Sequence, residues 1–293
     1  MNTKNTDKMI TFLIYIIIII ATVICVYPML MALSVSFSDE QTVALHGFKL
    51  IPEKFSLFTY KYFLLDKGPR LLTSYGVTIF VVIAGTLCSV ITTTAYAYAS
   101  SVKTFRLGSA LSFFAYFTML FSGGMLPWYI MCTKYYHLNN KIYGLFLPYI
   151  LNVFFMYLMR NFFKTIHPEI SESAKLDGAG YFTIFFRLMI PLAKVGIITI
   201  TLFYALGYWN DWYLALMLMN KEKLYPVQYL LYSMMANAQF LASGNNASLA
   251  QHVTVPVQTA RMAMTCLAVG PIIFVYPFIQ KYFIKGITVG AIK

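Results

Sequence analysis

The sequence predicts an all-α membrane protein of six transmembrane helices, and three observations carry that prediction. Of its 293 residues, 59% are hydrophobic and only 11% charged, whereas a soluble domain carries about a quarter charged residues. Charge-free stretches of spanning length recur along the chain. The apolar blocks, such as residues 16–20, are continuous and not alternating, which excludes a transmembrane β-barrel. Backbone groups in lipid must be paired internally, and that leaves helices.

A helix needs about 20 apolar residues to cross roughly 30 Å of hydrocarbon. Residues 9–38, 71–102, 107–133, 142–159 and 262–280 carry no charge, and 195–220 is interrupted only by Asp211. The predicted spans are therefore about 10–36, 72–101, 107–132, 142–160, 194–219 and 262–281, within one membrane domain, 1–293. The first run is too long for a signal-peptide core and no small-residue cleavage site follows it. Lys4 and Lys8 precede it, favouring a cytoplasmic N-terminus.

The connections then alternate: an outer loop 39–70, an inner turn 102–106, an outer connection 134–141, an inner loop 160–194, an outer loop 221–261 and a basic inner tail 281–293. Inner segments hold twelve Lys and Arg residues and outer ones ten, so the positive-inside rule barely decides orientation. Residues 224–241 are uncharged but contain Pro226, Gln228, Asn237 and Gln239. They read as a helix on the outer surface; a seventh span is the alternative and would put the chain ends on opposite sides. Net charge +12 suits anionic lipid headgroups. The basic residues are scattered over both faces, which argues against nucleic acid.

Cys25, Cys88, Cys132 and Cys266 form no CxxC pair and read as small hydrophobes. The four histidines have no metal-ligand spacing, so no metal site is expected. Pro28, Pro127, Pro148, Pro271 and Pro277 fall inside predicted spans, as hinges or as ordinary kinks that neighbouring helices tolerate.

The inner loop, RNFFKTIHPEISESAKLDGAGYFTIFFRLMIPLAK, differs from the rest. Pro168 suits the first turn of a helix, and Glu169 and Glu172 oppose the positive end of its dipole. Asp177-Gly178 ends it, glycine being favoured at a left-handed C-cap. A second short helix over about 181–189 should stop at Pro191. The product is an amphipathic elbow on the membrane surface.

Glu172-Ser173-Ala174, Asp177-Gly178-Ala179 and the closing Leu188-Met189-Ile190-Pro191 resemble the EAA loop of ABC-importer permeases. The Glu-to-Gly spacing of that loop is kept, with Ser173 where the pattern has alanine. The six-span layout, with the EAA loop between the fourth and fifth spans, is similar to carbohydrate-uptake permeases of the maltose-importer type. Gly207-Tyr208-Trp209-Asn210-Asp211-Trp212 and the ending from Gly270-Pro271 to Lys293 look most like the LplC-like branch.

The resemblance implies a bacterial cell-membrane subunit with both termini cytoplasmic, forming half of an oligosaccharide translocation pore. Expected partners are a second permease, two ATPase subunits docked on the elbow, and an extracellular solute-binding lipoprotein. ATP and Mg would sit on the ATPases. The tail carrying Thr288, Gly290 and Lys293 would reach between those ATPases, or would simply fray. An importer of another solute class, such as a peptide or a lipid-linked cargo, is the alternative on the same scaffold.

The fifth predicted span is where cargo is sought. Tyr204, Tyr208, Asp211 and Trp212 fall at i, i+4, i+7 and i+8 of a continuous helix, with Trp209 and Asn210 beside them. Aromatic faces stack on sugar rings, and an acid within a span usually faces a polar cavity. An aromatic belt at the outer interface is the competing reading.

Catalysis is not expected. The chain has no Gly-Lys dipeptide, so it cannot form the phosphate-binding loop of an ATPase. A single intramembrane acid is too few for an intramembrane enzyme or an ion-coupled carrier.

Overall fold

A computed structural model describes residues 3–66, 68–102, 104–242 and 257–273. They are helical; among them the only strand-like pairing recorded is an isolated bridge between Ser38 and Phe55. The described residues fall into two compact units, one drawn from Met1–Pro69 and Leu231–Ile272, the other from Arg70–Leu230.

In chain order the helices are α1 (Thr3–Ser36), α2 (Glu40–His46), α3 (Phe58–Lys61), α4 (Gly68–Ser101), α5 (Gly108–Leu120), α6 (Met125–Tyr135), α7 (Val153–Thr165), α8 (Pro168–Leu176), α9 (Tyr181–Leu192), α10 (Lys194–Asn210), α11 (Tyr213–Leu218), α12 (Val227–Ala242) and α13 (Val257–Ile273). Among the described residues, two are long and apolar enough to cross a bilayer alone, Lys8–Ser36 within α1 and Gly68–Ser101. Three more crossings are available only if bent pairs each count as one.

Several predicted spans are bent or broken in the structure. The third, 107–132, is not straight: α5 and α6 meet at 115°. Its break falls at residues 121–124, where Gly124 adopts φ +86°, a conformation that glycine enters without steric cost. The fourth begins as 3₁₀ turns over Ile142–Tyr149, bends by 57°, and continues in α7 to Thr165, five residues beyond the predicted end at 160. The fifth is broken by Asp211, which leaves the helix with φ −74° and ψ 124°. Pro191 does not stop the elbow's second helix, which runs to Leu192 before a 79° bend into α10. The described part of the sixth already includes Val257; its predicted end lies outside the described residues.

Unit one is organised where residues 37–60 meet α13. Glu40 accepts hydrogen bonds from the backbone N–H groups of Gln258 (2.9 Å) and Thr259 (2.8 Å) and from the Thr259 hydroxyl (2.7 Å). A carboxylate at a helix N-terminus satisfies orphan amides and opposes the dipole. Thr59 Oγ1 lies 2.9 Å from Thr259 Oγ1, and Phe37 stacks between Phe55 and Tyr60. The apolar side chains of α1 stay exposed from Met9 to Leu30, as suits a segment whose solvent is lipid or a partner helix, and only its last turn, at Val35, is buried.

Unit two holds the larger core, formed by α4, α7, α10 and α11 through Val81, Ala97, Met156, Met159, Ile200 and Leu214. Hydroxyl groups tie the bundle crosswise. Tyr96 donates to the Leu111 carbonyl (2.8 Å) and Tyr157 to that of Ser112 (2.6 Å). Arg160 Nε donates to the Ser100 carbonyl (3.1 Å) at the end of α4, where a cation opposes the negative helix terminus.

Candidate functional site

The elbow is built from α8 and α9. Pro168 occupies the first turn of α8, with Glu169 beside it. At the other end Gly178 adopts φ +82°. Its N–H bonds the Lys175 carbonyl (3.0 Å), and the Ala179 N–H reaches back to Ala174 (2.9 Å), the paired hydrogen bonds of a glycine-capped helix end. Ala174 and Ala179 are half-buried against the core, while Glu172, Ser173 and Asp177 are exposed. Leu176 is 90% exposed and Phe182 82%, so the elbow presents an apolar tip flanked by acids. Lys175 Nζ lies 5.0 Å above the Tyr181 ring, linking the two arms.

α9 seats the elbow on the bundle. Ile184 and Met189 are buried, and Phe185 packs 4.9 Å from the Tyr98 ring of α4. Residues 184–189 wind as a π-helix, a geometry that often accompanies functional sites. An apolar groove of about 470 Å³, lined by Val90, Thr94, Tyr98, Phe182, Phe186 and Ile197 among others, separates this arm from α4.

The fifth-span residues divide into two groups. Tyr204 and Tyr208 are buried, on α10, with their hydroxyls engaged by the protein. Tyr204 Oη lies 2.6 Å from Thr93 Oγ1 and accepts from the Asn152 N–H (2.9 Å). Tyr208 Oη lies 2.8 Å from Ser89 Oγ and donates to the Phe146 carbonyl (3.1 Å). Asp211 and Trp212 do not continue their helical face, because the helix has ended. Asp211 Oδ2 instead accepts from the Leu214 N–H (3.2 Å), covering a free amide in the first turn of α11. Trp209 approaches the Tyr75 ring (6.5 Å), and Trp212 stands edge-on to Tyr213. Asn210 is exposed and donates to the Leu206 carbonyl.

Sequence reasoning missed Ser89, Thr93 and Asn152. A signal was present, because Ser89 and Thr93 repeat the four-residue spacing of Tyr204 and Tyr208 inside an apolar span. Thr288, Gly290 and Lys293 lie outside the described residues.

Known proteins match this chain over nearly its whole length, in sequence and in fold. The polygalacturonan/rhamnogalacturonan transport system permease protein YtcP of Bacillus subtilis is 34% identical over 287 residues, covering 98% of this chain and 99% of the relative. A solved bacterial ABC transporter involved in import of the acidic polysaccharide alginate contains a chain that superposes with a TM-score of 0.82 and 29% identity, covering 97% of this chain and 99% of that one. This chain belongs to the carbohydrate ABC-importer permeases. It is a transport subunit and not an enzyme. Protein LplC of Bacillus subtilis is 35% identical over 92% of the permease and 90% of that relative, in keeping with the branch its motifs resemble. No protein-family model matches the permease.

Proposed function

We propose that the permease forms half of the pore of an ATP-driven importer for acidic oligosaccharides, and that the elbow passes the motion of a separate ATPase to α10. The glycine-capped, solvent-facing elbow carries this reading. Its backbone is held by local hydrogen bonds, its small residues allow close approach, and Glu172 and Leu176 are available to a partner. α9 and α10 are joined at Ala193, so a push on the elbow is delivered to the helix bearing Tyr204 and Tyr208.

The cargo class is supported by the two relatives named for galacturonate and alginate polymers, both built of sugars that carry carboxylates. Trp209, Asn210, Asp211 and Trp212, at the broken end of α10, are the part of the fifth span we assign to the sugar path. Tyr204 and Tyr208 brace it. The rest of the assembly is a second permease, two ATPases binding ATP and Mg, and an extracellular solute-binding lipoprotein. Six crossings place both termini in the cytoplasm, with residues 224–241 on the outer surface and the tail at Thr288, Gly290 and Lys293 reaching the ATPases.

Reconstitution tests this reading. Proteoliposomes holding the complete transporter should accumulate oligogalacturonate when supplied with ATP and binding protein, and this chain alone should not. Uptake by the lone chain contradicts the proposal.

A further inference from the structure

In unit one every acid whose side chain is described has a partner. Asp39 Oδ1 lies 3.6 Å from Lys54 Nζ, Glu53 is paired with Lys49 and His46, and Glu40 caps α13. Arg261, two residues beyond Thr259 on α13, has none. Its Nε is buried and meets no hydrogen-bond acceptor, and no carboxylate lies within ion-pair distance of it among the described residues. A guanidinium remains charged at any physiological pH, and leaving one of its N–H groups buried and unpaired is unfavourable. The position is also well fixed, because Glu40 and Thr59 clamp the helix start immediately before it. Among the described residues this fixed cation has no counter-ion, so its charge is available to an anion.

We propose that Arg261 is the residue through which the permease reads a carboxylate of its cargo. The planar guanidinium fork matches a carboxylate in a two-bond arrangement that an ammonium cannot reproduce, and a uronate oligomer offers such a group on each charged sugar. The inference rests on the acidic-cargo reading above. A carboxylate of the partner permease is the rival counter-ion, and the test separates the two.

The complete transporter is reconstituted with wild-type permease, Arg261→Lys or Arg261→Gln, and uptake of oligogalacturonate is compared with that of its methyl ester of equal length. Assembly with the partner permease is followed by size-exclusion chromatography. For Arg261→Gln we expect intact assembly and at least a tenfold loss of charged-oligomer uptake, with ester uptake within twofold of wild type. Arg261→Lys should recover part of the charged-oligomer uptake. Equal loss for both cargoes, no loss for either, no recovery by lysine, or failure of Arg261→Gln to assemble would each overturn the assignment. Wild-type transporter that ignores oligogalacturonate would instead refute the cargo reading itself, whatever the Arg261 variants do.

Discussion

Tyr208 Oη lies 2.8 Å from Ser89 Oγ, joining α10 to α4 in the middle of the buried core. The same oxygen donates to the Phe146 carbonyl at 3.1 Å, so one phenol holds three segments together. Tyr208→Phe removes both hydrogen bonds and leaves the buried Ser89 hydroxyl without this partner, while the Phe146 carbonyl keeps the Tyr149 N–H (3.1 Å). A loss of about 1–3 kcal/mol is expected, seen as a lower melting temperature of the purified transporter. Half-saturation for the sugar should be unchanged, because the hydroxyl is occupied by protein; a large rise would place Tyr208 on the cargo path.

Gly85 sits where α4 meets that tyrosine. A Cβ there would lie 2.9 Å from Phe146 Cβ and 2.9 Å from the Tyr208 ring, contacts that real side chains do not make. Gly85→Val should therefore cost about 1–3 kcal/mol through overpacking. Gly76→Ala is the control on the same helix: nothing lies within 4 Å of its Cβ, and helix propensity favours alanine by up to about 1 kcal/mol. Thermal unfolding of the two variants should move in opposite directions.

The elbow was legible in the sequence because its signals are local. Pro168 and Asp177-Gly178 mark helix ends through their own backbone preferences, and the structure puts the ends there. The break at Asp211 was not legible from apolar counting. A 26-residue stretch with one acid counts as a span, yet that acid is used to cover an amide three residues on. The bend after α5 had a visible cue in Ser122-Gly123-Gly124 that the hydropathy of 107–132 masks. The partners of Tyr204 and Tyr208 lie 52 to 119 residues away, and no periodicity within one helix reveals them.

The segment 46–53 should respond to acid. Lys49 and then His46 hold the Glu53 carboxyl below its ordinary value of 4.5. A depressed carboxylate contributes stability that is fully present above its unfolded value and is lost as pH falls through the folded one. Hydrogen exchange of residues 46–53 should thus be protected at neutral pH and rise below about pH 4.5 beyond the intrinsic pH dependence. Glu53→Gln should abolish the acid-dependent part; an unchanged profile in that variant would show that the triad does not organise the loop.

Coupling through the elbow is tested most directly by ATP-driven sugar uptake in the reconstituted transporter carrying Glu172→Ala or Gly178→Val. Gly178 has φ +82° and open space around it, so valine adds backbone strain of about 1–2 kcal/mol without disturbing the bundle core. Both variants should insert and pair with the second permease normally while uptake falls at least tenfold. Wild-type uptake in both, with insertion intact, would contradict the account.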